Sequence, residues 1–253
     1  MDLVRFFNKN LGETPLECLK RFQAENQEYA DLKATYAGRL DPAAEGVMLF
    51  LFGDKVHKKD AYLAHDKTYV ASFVLGIGTD TGDLLGLPTS IAPKDIVAQL
   101  DEEKIKKLSK EIEIEIKKVH EQKYPMSSSK TVAGKPLFAY AREGEEVEQP
   151  KRVITVRECV FKAADFITNR DILDRVMLLC SVVTGDFRQK EIGAMWKQQE
   201  DSLPPLLPLL IFKLTVSSGT YVRGFTETIE NITGLPCVLF RLERTEVFEQ
   251  AGE

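Results

Sequence analysis

Apolar residues along this chain recur with two periods, and each period predicts a different element. Alternation runs through residues 67–76, where Tyr69, Ala71, Phe73 and Leu75 share one face and predict a strand. The same period in residues 112–117, with Ile112, Ile114 and Ile116 set against Glu113, Glu115 and Lys117, predicts a strand with one wet face. The unbroken apolar run at residues 47–52 and the apolar-rich stretch 209–216, interrupted by Lys213 and Thr215, predict buried strands. Helical spacing governs other stretches. Thr14 is placed to cap a helix over residues 15–25, with Pro15 at its first position, Glu17 at its third, and Leu16, Leu19 and Phe22 as a buried stripe. Further helices are predicted at residues 56–64, 93–111 and 225–231, the second offering Ile96, Leu100, Ile105 and Leu108 for packing. Residues 172–179 fit either a helix or a long apolar strand, and residues 153–161 read as paired strands of a second lobe. The interleaving of strands and helices predicts a mixed α/β chain.

Between these elements lie segments rich in turn residues. Residues 75–86 carry four glycines together with Asp80 and Asp83, whose side chains are expected to organise the loop by bonding its backbone. A phosphate-binding loop would need a following Lys-Ser or Lys-Thr, which is absent, so nucleoside triphosphate hydrolysis is rejected.

Composition narrows the classes further. A chain of 253 residues can bury a sizeable core as one large domain, or as a domain with an inserted lobe. No apolar segment reaches the roughly 20 residues that span a bilayer, so no membrane association is expected. The first residues lack the basic and apolar regions of a secretory signal. Cys18, Cys159, Cys180 and Cys237 form no Cys-x-x-Cys pair and read as reduced, buried thiols, which predicts a cytoplasmic setting. With only His57, His65 and His120 available, no metal site is expected. The formal net charge of −5 means that any nucleic-acid contact needs a local basic surface.

The candidate chemistry centres on residues 37–53. Asp41 lies between Gly38 and Gly46, beside Pro42, at the mouth of the buried run 47–52. Proline biases the preceding residue toward an extended conformation and removes a backbone donor. A carboxylate held there could be catalytic, and an Asp-Pro pair is equally a common turn. By pattern alone Tyr69 is a core aromatic and Arg223 a solvated guanidinium leaving a strand.

Longer strings carry a resemblance. Gly38-Arg39-Leu40-Asp41-Pro42-Ala43-Ala44-Glu45-Gly46-Val47 closely resembles the Gly-x-Leu-Asp-Pro-x-Ala-x-Gly-Val signature of the TruB family of tRNA pseudouridine synthases. Further matches keep the family's order: Lys9, Gly12 and Thr14; Lys67-x-Tyr69; the Leu-Gly-x-x-Thr-Asp-Thr-x-Asp segment ending at Asp83; Gly134 to Gly144; Ser217-Ser218-Gly219-Thr220-Tyr221-Val222-Arg223 in the pattern Ser-x-Gly-Thr-Tyr-Ile-Arg; and the closing Leu242-Glu243-Arg244-Thr245. The resemblance implies a pseudouridine synthase fold, with a central, mainly antiparallel sheet flanked by helices and a smaller lobe. It implies that Asp41 is the catalytic nucleophile, Arg223 its partner, and Tyr69 the ring that stacks on the target uracil. Tyr221 and Leu242 would line the nucleotide pocket, Tyr36 would contact the RNA, and Asp83 would help form the site wall.

The implied activity is isomerisation of uridine 55 in the T arm of tRNA, by a monomer that needs no cofactor. Two departures weigh on specificity. Tyr36 stands where the family has a histidine that contacts the RNA, and Glu243 replaces an arginine near the end of the catalytic domain. Only residues 246–253 follow, too few for the C-terminal PUA domain of many relatives, so residues 1–253 are expected to be the catalytic domain alone. The alternatives are a synthase for a different RNA uridine and a noncatalytic RNA-binding or RNA-folding protein.

Overall fold

The computed structural model describes residues 2–248. In chain order its strands and α-helices are β1 (Val4–Lys9), α1 (Pro15–Glu25), β2 (Ala34–Ala37), β3 (Ala44–Phe52), α2 (Lys59–Leu63), β4 (Asp66–Leu75), β5 (Ile77–Thr79), β6 (Pro88–Ile91), α3 (Lys94–Val97), α4 (Glu102–Lys118), β7 (Glu121–Lys123), β8 (Thr131–Val132), β9 (Lys135–Pro136), α5 (Leu137–Glu143), β10 (Lys151–Val153), β11 (Val156–Thr168), α6 (Asn169–Val182), α7 (Gln189–Gln198), β12 (Leu206–Val216), α8 (Phe225–Thr233) and β13 (Cys237–Phe248). Seven strands form the central sheet in the order β1-β3-β13-β4-β12-β11, with β2 also paired to β3. The pairings are antiparallel except for a short parallel contact between β3 and β13. The architecture is the expected mixed fold around a mainly antiparallel sheet.

Alternation along β4 divides the core. Tyr69, Ala71, Phe73 and Leu75 pack with Phe22 of α1, Ile112 of α4 and Ile229 of α8 on one side of the sheet. Val74 packs with Ile172 and Val176 of α6 and Trp196 of α7 on the other. Both faces of β4 are therefore covered, at roughly 1.5–3 kcal/mol for each large apolar side chain buried. Helix α1 begins as its sequence dictates: Thr14 accepts from the Glu17 N–H at 3.2 Å, and the Glu17 carboxylate accepts from the Thr14 N–H at 2.7 Å. Its buried stripe is Cys18, Leu19 and Phe22, while Leu16 is half exposed. Spacing from Leu19 and Phe22 admits either Leu16 or Cys18, which flank that stripe on opposite sides, and Cys18 is the one buried.

Four expectations are corrected. Residues 112–117 are the last turns of α4 and not a strand. Ile105, Ser109, Ile112 and Ile116 form one buried helical stripe, and Ile114, the residue that made the pattern alternate, is exposed. Asp101 caps this helix by accepting from the Lys104 N–H at 2.8 Å, so the predicted helix 93–111 is interrupted after the single turn of α3. Ion pairs Lys117–Glu113 and Lys118–Glu115 lie along its exposed side. The predicted helix over residues 56–64 is a 3-10 turn over Gly53–Lys58 followed by the short α2. Finally, the segment from Val156 to Phe161 does not build a second lobe: β11 is the edge strand of the central sheet, and only β10 pairs away from it, with β7. The ambiguous residues 172–179 are helical, within α6.

Candidate active site

Asp41 sits in the loop between β2 and β3, and the sequence around it explains how that loop is fixed. Leu40 is buried beneath it, the Asp41 carbonyl accepts from the Ala44 N–H at 3.0 Å, and the Pro42 carbonyl accepts from the Gly12 N–H at 2.9 Å. From below, the buried guanidinium of Arg244 donates to the carbonyls of Val47 at 2.6 Å, Arg39 at 3.4 Å and Gly38 at 3.5 Å. Arg244 reaches them because β13 runs parallel to β3 with Gly46 opposite Arg244. At φ +108° a Cβ on Gly46 would stand 2.2 Å from the Arg244 carbonyl oxygen, so this close approach requires glycine. Gly46→Ala is expected to destabilise the fold by about 3 kcal/mol or more, as strain and overpacking add, measured by urea unfolding.

The Asp41 carboxylate is half exposed and faces Arg223, with Oδ2 3.4 Å from Nη1. Arg223 lies in a single 3-10 turn ahead of α8, fixed by its own carbonyl, which accepts from the Thr226 hydroxyl at 2.8 Å. The same Nη1 donates to Asp83 Oδ2 at 2.9 Å. The other Asp83 oxygen accepts from the Leu85 N–H and the Thr81 hydroxyl, both at 3.0 Å. One buried cation thus serves two carboxylates. Burial holds Asp83 above the ordinary carboxylate range; Arg223 opposes that shift and the nearby Asp41 charge adds to it. Burial alone would ease the proton off Arg223, but the two aspartates outweigh it and hold the guanidinium firmly charged.

These groups open onto a cleft of about 700 Å³. Asp41, Tyr69, Asp83, Tyr221, Arg223, Leu242 and Tyr36 all line it, so every residue singled out in the sequence converges on one cavity. Tyr69 comes from β4 with its ring largely in the core, and Leu242 from β13 beside Ala44. Tyr221 stands edge-on to Tyr124, ring centres 5.9 Å apart, and its N–H donates to Gln122 Oε1 at 3.0 Å. Burial, with the Asp41 charge next, pushes the Tyr221 phenol up, so it stays protonated at neutral pH. Tyr36 projects from β2, with Lys59 Nζ 5.4 Å from its ring centre. Asp83 reaches the cleft with both oxygens already engaged by the protein, so its main contact there is Arg223 and not open wall. Asp80 organises the same loop as expected, accepting from the Leu87 N–H at 2.7 Å.

Several cleft residues had not been singled out: Lys67, Arg152, Arg244, Leu179 and Phe187. Lys67 is buried and donates to the Leu63 carbonyl at 2.8 Å and to the His65 carbonyl. Burial first, and then the Arg244 charge, lower its pKa from 10.5 to about 8. Between those two values the folded chain binds fewer protons at Lys67 than the unfolded chain. Its stabilising contribution is therefore complete above the unfolded value and is lost as pH falls through the folded one. Measured against Lys67→Met by urea unfolding, the wild type should gain about 3 kcal/mol from roughly pH 7 to pH 11. A buried lysine beside Tyr69 was legible in the Lys67-x-Tyr69 string. Arg152 and Phe187 carry no such local signal.

A family model described as TruB family pseudouridylate synthase, N-terminal domain, matches residues 23–172. The chain belongs to the TruB family. It is 36% identical over 219 residues to a tRNA pseudouridine synthase B of Endomicrobium trichonymphae, covering 86% of this chain and 74% of that one. It is 28% identical over 242 residues to the Bacillus licheniformis protein of the same name, covering 96% of this chain and 64% of that relative's length. Among solved structures it resembles a chain of a Cbf5-Nop10-Gar1 complex, with a TM-score of 0.54 at 18% identity over 98% of this chain and 50% of the other. That likeness supports the TruB-type fold seen here. Among the described residues no helix is long and apolar enough to cross a membrane.

Proposed function

We propose that this TruB-family chain isomerises uridine 55 in the T loop of tRNA to pseudouridine. The observation that carries the reading is the meeting of Asp41 and Arg223, at 3.4 Å, in a cleft walled by Tyr69, Tyr221 and Leu242. The reaction breaks the bond from ribose C1' to uracil N1, turns the base and joins C5 to C1'. The atoms balance within the nucleotide, so no electron acceptor or energy donor is called for. Asp41 initiates the rearrangement as the nucleophile. Arg223 pairs with that carboxylate and aims it. Tyr69 stacks on the uracil once it leaves its helix, and Tyr221 and Leu242 enclose it away from water. Tyr36 meets the RNA at the cleft mouth. Relatives named tRNA pseudouridine synthase B supply the tRNA assignment.

The chain works as one catalytic unit and as a monomer, without a cofactor. Its setting is the cytoplasm, a reading supported by four unpaired cysteines. A second reading keeps the chemistry and moves it to a different RNA uridine, favoured by tyrosine at position 36. Base-resolved mapping of pseudouridine in RNA from cells with and without the protein tests both. Loss of pseudouridine at position 55 alone supports the first; loss confined to another RNA sinks it in favour of the second.

A further inference from the structure

Strands β11 and β12 are antiparallel neighbours paired from Val156–Val216 to Thr168–Leu206, yet no tight turn joins them. The chain between them, residues 169–205, forms α6 and α7 instead. Ile172, Val176 and Trp196 anchor this helical pair to the sheet, and Trp196 Nε1 donates to the Gly86 carbonyl at 2.9 Å. The turn between the two helices is thereby carried to the cleft, where Leu179 and Phe187 form part of its lining.

That turn is fastened, and its ring is left uncovered. Gln189 donates to the carbonyls of Val183 at 3.0 Å and Gly185 at 2.7 Å and accepts from the Phe187 N–H at 2.9 Å. Arg188 pairs with Asp80 at 2.8 Å. Phe187 nevertheless stays 37% exposed, and Phe138 of α5, which lines the same cleft, 38% exposed. Arg142 ties the two arms together, donating to the Asp186 carbonyl and carboxylate while its guanidinium lies 5.7 Å from the Phe138 ring centre. The pair Arg142–Asp186 is exposed, so it holds the arms only weakly. Arg39 and Arg152 share the cleft with these rings, together with Arg241, which also pairs with Glu45 at 2.8 Å. In a chain of net charge −5, such a concentration selects a polyanion, and a partly exposed aromatic ring beside it selects unpaired bases.

We propose that Phe187, with Phe138 across the cleft rim, is a base-stacking residue that holds an unpaired nucleotide of the substrate RNA next to the target uridine. This rests on the functional reading above in taking RNA as the ligand. Phe187→Leu keeps apolar bulk and removes the π face; Phe187→Trp keeps a ring. Binding to an unmodified T-arm stem-loop transcript is measured by fluorescence anisotropy at fixed salt, with KM and kcat in parallel. Phe187→Leu should weaken binding on the order of 10-fold and raise KM more than it changes kcat, and Phe187→Trp should return binding to within about 2-fold of wild type.

Transcripts lacking one loop base at a time locate the contact. At the stacked position, losing the base and losing the ring should not add, because either change removes the same interaction. Wild-type affinity in Phe187→Leu, or additive losses at every loop position, would overturn the proposal. A wild type that binds the transcript without turning it over removes the functional reading and leaves the stacking test in force. A wild type that does not bind it overturns both.

Discussion

Asp41→Asn is expected to bind unmodified tRNA as the wild type does and to lose turnover by more than about 10³-fold, the scale seen when a nucleophile is removed. Asparagine keeps the size of the side chain, and the buried Arg223 keeps its nearer partner Asp83 at 2.9 Å. Asp41 is half exposed, its loop is fixed through the backbone carbonyls of Gly38, Arg39 and Pro42, and its single ionic contact is Arg223. If the cleft binds RNA as proposed, removing a negative charge from it does not weaken contact with phosphates. The loss therefore falls on the chemical step alone. A single-turnover assay on tRNA transcripts reads that step, with binding measured at the same salt because affinity to RNA depends on ionic strength. Circular dichroism confirms folding first. Substantial turnover by Asp41→Asn would end its assignment as the nucleophile.

The site was more legible in the sequence than the elements around it, and the reason is physical. The segment from Gly38 to Val47 encodes its own geometry: a proline, a turn aspartate, and a glycine at the one place where β3 must touch β13. Alternation in β4 was equally readable, since a period of two with large apolar residues has few alternatives. Residues 112–117 were misread because Ile112 and Ile116 satisfy a helical stripe as well as an alternating one, and only Ile105 and Ser109 farther back decide between them. Leu16 was misassigned for a similar reason: it and Cys18 flank the Leu19–Phe22 stripe on opposite sides, and spacing admits either. The role of Asp83 toward Arg223 spans 140 residues, and no local pattern announces such a bond. The burial of Arg244 follows from the carbonyls of Gly38 and Arg39 in the loop before β3 and of Val47 within β3, which no local pattern announces. Phe187 reaches the cleft only through the packing of α6 and α7 on the sheet, which spacing along the chain does not encode.

Removing Arg223 should cost both stability and turnover, and the two losses can be separated. In Arg223→Met the Asp83 carboxylate stays buried with no cation, 2.9 Å from where Nη1 had been, and the like charge of Asp41 remains nearby. Breaking a buried ion pair on one side costs about 3–5 kcal/mol. Asp83 already sits above the ordinary carboxylate range, and losing the guanidinium raises it further. An acid with a raised folded pKa holds its proton better folded than unfolded, so the variant is most stable at low pH and loses that stability as pH rises through the folded value. Urea unfolding should accordingly find Arg223→Met closer to wild type near pH 5 than near pH 8. Adding Asp83→Asn removes the orphaned charge and should recover most of the lost stability. Turnover should not recover with it, because Asp41 still lacks the cation that pairs with it and aims it. If the double variant regains activity together with stability, Arg223 acts only as a structural counter-ion to Asp83 and its role toward Asp41 falls.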